Sequence, residues 1–214
     1  VEAIDGVNGT LGSAGPCVTR PSGNLTVLGQ MRFDSADLPN LESNGTLGDV
    51  ILHEMGHVLG FGTLWSTFGF LQNPSLPDPG GEDTHFNGPK AIAAFDALGG
   101  TNYTGGAKVP VENTQGGQGT RDSHWRESTF IHELMTGFIE APGVANPLSR
   151  LSVASLWDLG YVVNLDGSDG YTQVFTGPAL AARSDGGQLL LNDVVTGPIY
   201  VVGPDGRVVR VLRY

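Results

Sequence analysis

Between residues 47 and 59 the apolar positions Val50, Ile51, Met55, Val58 and Leu59 recur at close to helical spacing, which predicts a helix over Leu47–Leu59. Thr46 stands at its N-cap position and Gly60 where a glycine ends such a helix. Arg150–Leu159, between Ser149 and Gly160, reads the same way, as does the shorter Lys90–Leu98 before Gly99-Gly100. Helical character also appears over Arg126–Leu134. Residues 1–45 read as turns and at most three strands. The strongest extended stretch is Leu25–Leu28 with Met31–Phe33, broken by Gly29 and bounded by Gly23 and Asp34. Gly62–Gly88 and Gly105–Thr120 read as loops. From about Asp166 the pattern changes to short strands, and Ile199–Val202 and Arg207–Leu212 flank Pro204-Asp205-Gly206 as a hairpin.

Composition narrows this picture. Eleven basic against 22 acidic side chains give a net charge of −11, which argues against a nucleic-acid or membrane-surface partner. With 33 Gly and 13 Pro but only 15% charged residues in 214, the chain reads as a loop-rich ordered protein and not as disorder. Its single cysteine, Cys17, excludes an intrachain disulfide and a Cys-based zinc site, and reads as a small buried apolar residue. No run of about 18 apolar residues exists to span a membrane. Val1–Gly9 lacks the basic start and apolar run of a signal peptide, as both a processed secreted chain and a cytosolic one would.

The candidate chemistry lies on the first helix. Residues 53–57 read His-Glu-Met-Gly-His. Positions i and i+4 share a helix face, so His53 and His57 can converge on one zinc ion, with Glu54 reaching a water held there. A helix with two structural histidines is the bland alternative. Against it stands the cost of burying two imidazoles and a carboxylate among apolar neighbours without a partner. Gly60 extends the motif to His-Glu-x-x-His-x-x-Gly, the start of the metzincin signature. A catalytic zinc needs a third protein ligand and an open position. The usual slot three residues on holds Thr63, which leaves His85, His124 and His132, or, in a gluzincin, a glutamate such as Glu127 or Glu133.

Three segments, His53–Phe61, His124-Trp125-Arg126-Glu127-Ser128 and Glu133-Leu134-Met135-Thr136-Gly137, make the chain resemble the leishmanolysin family over residues 15–165. That family interrupts the metzincin signature with a long insertion before the third histidine. The resemblance implies an α+β, zincin-like (metzincin-like) catalytic domain with an active-site helix, the insertion and a β-rich C-terminal segment. It implies His53, His57 and His124 as ligands of one catalytic zinc, Glu54 as general base and Met135 as the residue of a Met-turn beneath the metal. The activity implied is that of a zinc metalloendopeptidase acting on polypeptides through a zinc-held water. The expected division is an upper catalytic part over 1–60, a lower part over 61–165 and the β-rich segment over 166–214. Eukaryotic members are rich in disulfides, so one cysteine suggests a secreted bacterial relative. The few strands before His53 suggest an N-terminal piece of the same precursor.

The other candidates read more plainly. His85 is expected to be a loop histidine and His132 a solvated or supporting one. Asp78, Glu82 and Asp83, or Asp166 and Asp169, could bind calcium, though clustered loop acids are more often solvated. Asn-x-Thr sequons occur at Asn8, Asn24, Asn44 and Asn102. Besides the two enzyme readings, a catalytically idle module could keep zinc for stability alone; Glu54 argues against it, since a structural site needs no base. The strand around Leu25–Phe33 is expected to offer a sheet edge to an extended substrate.

Overall fold

In chain order the computed structural model contains β1 (Gly12–Thr19), β2 (Thr26–Phe33), α1 (Leu38–Asn44), α2 (Leu47–Leu59), α3 (Trp65–Phe68), β3 (Leu71–Gln72), β4 (His85–Phe86), α4 (Pro89–Ala97) and α5 (Thr101–Thr104). They are followed by β5 (Val109–Pro110), α6 (Glu127–Phe130), β6 (Phe138–Ile139), α7 (Arg150–Leu159), β7 (Gln188–Leu189), β8 (Pro198–Val202) and β9 (Val208–Arg213). The structure describes residues 1–77, 82–173, 188–190 and 192–213. None of its helices is long and apolar enough to cross a membrane.

The main sheet has the order β2-β1-β8-β9. β1 and β2 pair antiparallel from Gly12↔Phe33 to Thr19↔Thr26, whereas β8 joins the other edge of β1 in parallel, at Val18↔Tyr200 and Thr19↔Val201. The C-terminal hairpin thus supplies half of a sheet that residues 1–45 begin, so the shortage of strands before His53 is made up within the chain. Gly29 does not break β2. A Cβ there would lie 2.5 Å from Val58 Cγ1, so the glycine lets α2 pack directly on the strand.

α2 spans the expected residues, and Gly60 closes it at φ 111°. The Thr46 hydroxyl does not cap it, because it donates to Asn44 Oδ1 at 2.7 Å. α7 is capped as its sequence suggests, with Ser149 accepting from Ser152 N. The helix expected over 126–134 shortens to α6, since Ile131 turns to φ 54°. Residues 62–88 hold more than loop: α3, β3 and β4 form there around an aromatic core. Phe61, Trp65 and Trp125 have ring centroids 4.6–5.0 Å apart, and Phe86, Phe95 and Phe130 complete the group. Each buried aromatic is worth about 1.5–3 kcal/mol over its exposed state, enough to fold the long excursion between His57 and His124 onto the helix. Cys17 is half-buried and free in β1 instead of fully buried.

Buried carboxylates organise the loops and account for part of the acidic excess. Asp122 accepts from Ser75 N, Ser75 Oγ and Leu76 N, while Glu112 accepts from the backbone of residues 113–115 and of Glu127. Asp34 takes backbone N–H groups from Ala36, Asp5, Gly6 and Ile4, which hold its carboxyl at about 2 although burial raises it. A depressed carboxyl contributes stability that is present above its unfolded value near 3.9 and lost as pH falls through the folded one. Thermal melts should therefore show stability falling between about pH 4 and pH 2, with Asp34→Asn flattening that fall. An unchanged slope in the variant would remove Asp34 from the account.

Candidate active site

The face of α2 that meets the rest of the protein carries His53, Glu54 and His57, all without solvent exposure. The chain leaves the helix through Gly60 and passes Gly62, where a Cβ would lie 2.2 Å from Ser123 O. That close approach sets His124 against α2 although 66 residues separate it from His57. The three Nε2 atoms converge at 3.0 Å (His53–His57), 3.0 Å (His57–His124) and 3.1 Å (His53–His124).

These short contacts are not hydrogen bonds. Each Nδ1 faces a backbone carbonyl: Leu134 O at 2.7 Å for His53, Phe61 O at 3.0 Å for His57 and Thr120 O at 2.8 Å for His124. A carbonyl only accepts, so each Nδ1 carries the ring hydrogen and each Nε2 presents a lone pair. Burial holds His53 and His57 below the ordinary imidazole range, which favours their neutral forms. Three lone pairs therefore face one another across a space that calls for a cation.

Asp193 completes the group. Its Oδ2 lies 2.9 Å from His124 Nε2, 3.2 Å from His53 Nε2 and 3.7 Å from His57 Nε2. Among the described residues, His53, His57, His124 and Asp193 are the one set that could hold a metal ion. Glu54 lies beside them with neither carboxylate oxygen hydrogen-bonded. Burial, then the charge of Asp193, pushes its carboxyl well above the usual range.

The set fits zinc. Tetrahedral zinc holds its nitrogens at about 2.0–2.1 Å, which separates them by about 3.4 Å, close to the spacing here. An uncompensated buried carboxylate costs several kcal/mol, whereas a closed zinc site returns about 10–16 kcal/mol. A dication outweighs the cost of gathering these groups.

Met135 lies under the helix: a Cβ on Gly56 would sit 2.7 Å from its Cε. Trp125 N donates to Met135 O at 3.0 Å, which ties this turn to the residue after His124. Glu133 is no part of the cluster. It accepts from Met135 N, Ser149 N, Ser149 Oγ and Ser152 Oγ, joining the turn to the start of α7. Glu127 is buried at the start of α6, also outside the cluster. His85 is not in a loop but in β4, opposite Gln72 and Pro110. His132 is half-exposed, its Nδ1 3.2 Å from Glu140 Oε1.

Of the calcium candidates, Asp83 pairs with Lys108, Asp166 with Arg150, and Asp169 accepts from Leu148 N. Glu82 is exposed, and Asp78 lies outside the described residues. β2 is an edge of the main sheet, and β1 beside it approaches the site, since a Cβ on Gly12 would lie 2.7 Å from Glu54 Oε1. Sequence reasoning missed Asp193. Its signal was an acid set between two apolar runs, Leu189–Leu191 and Val194-Val195.

No curated protein matches the chain. The sequence family of leishmanolysin (peptidase family M8) matches residues 2–169, somewhat beyond the span in which the resemblance was legible. With most of its length in that match, the chain belongs to the leishmanolysin family of metalloproteases.

Proposed function

We propose that the chain hydrolyses peptide bonds of polypeptides at a single catalytic zinc held by His53, His57 and His124, with Glu54 as general base. The observation that carries this reading is the convergence of three Nε2 lone pairs, each fixed by a carbonyl behind its ring. Bound zinc would supply Lewis-acid chemistry, polarising a carbonyl and lowering the pKa of water toward about 7. Glu54 takes a proton from the attacking water as oxygen bonds to the carbonyl carbon. It returns that proton to the nitrogen as the C–N bond breaks. Carbonyl partners hold the three rings rigid, and Met135 under Gly56 supports the helix from below, in keeping with a metzincin-type turn.

A four-donor cluster also suits a structural zinc. Glu54 disfavours that second reading, because a structural site gains nothing from a buried carboxylate with no hydrogen bond. The test is metal analysis together with cleavage of an unfolded protein, in the parent and in Asp193→Ala. One zinc per chain and chelator-sensitive cleavage in at least one of the two are expected. Stoichiometric zinc with no cleavage in either would refute the peptidase reading.

A further inference from the structure

A peptidase must present its metal and base to a substrate, yet His53, Glu54, His57 and His124 have no accessible surface at all. The segment leading into β8 lies against them through Asp193. Asp193 O accepts from Ala14 N at 2.6 Å, Val195 N donates to Ala14 O at 2.9 Å, and Val194 is bridged in parallel to Ala14. On the opposite side Leu190 N donates to Gly137 O at 2.9 Å and Thr120 Oγ1 to Leu190 O at 2.7 Å. Backbone bonds thus tie Asp193 and Val195 to β1 on one side and Leu190 to the chain just after Met135 on the other. An extended polypeptide is held in a groove in this manner, main-chain bonds giving the grip and side chains entering the pockets.

Among the described residues of this segment, Asp193 sends a carboxylate to the three imidazoles. Its surroundings differ from those of the structural acids. Asp34, Asp122 and Glu133 each take backbone N–H groups. Asp193 Oδ2 faces the three Nε2 atoms, and its Oδ1 has no hydrogen-bond partner. A carboxylate retained for folding collects N–H donors; one aimed at lone pairs and another acid makes sense toward a cation. Three protein ligands leave zinc a position for catalysis, and a fourth closes it. The segment leading into β8 also lies beyond residue 169, where the family match ends.

We propose that Leu190 and residues 192–195 are an internal occupant of the substrate groove, with Asp193 as the fourth metal donor, so that the chain is latent until they are displaced. The inference rests on the peptidase reading for the meaning of the groove, though not for the ligand itself. Displacement must break the Ala14, Gly137 and Thr120 contacts as well as the metal contact, so the open state is a minor one. An open population of about 1–10% lowers the apparent affinity for an external ligand about 10- to 100-fold.

The test uses the full chain with cobalt(II) in place of zinc, titrated with acetohydroxamate and followed by its visible spectrum. In the parent the probe should leave the spectrum nearly unchanged. In Asp193→Ala it should bind at least about tenfold more tightly, and the zinc form should cleave an unfolded protein faster by a similar factor. Tight probe binding by the parent overturns the proposal without recourse to any variant, which covers the case that Asp193→Ala fails to fold. Cleavage by the parent at the variant's rate also overturns it, and leaves the peptidase reading standing. Probe entry to the variant alone, with cleavage in neither, supports Asp193 as the closing donor and sinks the peptidase reading.

Discussion

Glu54→Gln should keep one zinc per chain and a native melt while losing about 10²- to 10⁴-fold in turnover, the range that a positioned general base contributes. The substitution preserves the shape of the side chain and removes the one group that can take and return a proton. Retention of metal follows from the geometry, because the ring nitrogens are oriented by Leu134, Phe61 and Thr120 carbonyls and owe nothing to Glu54. Retention of the fold follows as well: the carboxylate makes no hydrogen bond that the amide would forfeit. Whichever of the parent and Asp193→Ala cleaves faster is the background for the comparison. A rate within about tenfold of that background would show that Glu54 is not the base. Loss of zinc along with activity would assign it a structural part in the site instead.

The legible part of the structure is the part with strong local signals. The helix carrying His53 and His57 announced itself by spacing and by Gly60, and Ser149 and Gly160 bounded α7 equally well. The hairpin around Pro204-Asp205-Gly206 formed where its turn residues stand. What escaped was set by contacts between distant segments. β1 opens with Gly12-Ser13-Ala14-Gly15-Pro16, residues without the bulk or branching that mark a strand, and only Val18-Thr19 at its end carry that signal. It is extended because it lies between β2 and β8 and because a small residue fits beside Glu54. Gly29 looked like a break for the same reason, as a glycine serving close approach is indistinguishable in sequence from one serving a turn. The convergence of His124 on α2 depended on Gly62 meeting Ser123 and on an aromatic core whose members are scattered from Phe61 to Phe130. Asp193 was the hardest to find, since its partners are 69 to 140 residues away and no spacing rule joins them.

His124→Ala should weaken zinc binding by more than about 100-fold, and the loss separates the present arrangement from every alternative third histidine. Removing a group that merely supports a ligand costs about 10- to 100-fold in metal affinity, so removing a ligand should cost more than that. The ring of His124 stacks on that of His53 at 5.1 Å between centroids, and its Nε2 completes the triangle of nitrogens. Without it two imidazoles and Asp193 remain, and no other described histidine or acid lies within the group to replace it. His85 is tied into β4, and Glu133 is already engaged with Ser149, Ser152 and the turn at Met135. The matched controls are His85→Ala and His132→Ala, each expected to bind zinc as the parent does. X-ray absorption on the parent should show three imidazole donors, falling to two in any metal forced into His124→Ala at high concentration. Zinc affinity unchanged in His124→Ala, or loss of zinc in His85→Ala, would place the third donor elsewhere and undo the account of why the chain returns from its long excursion at residue 124.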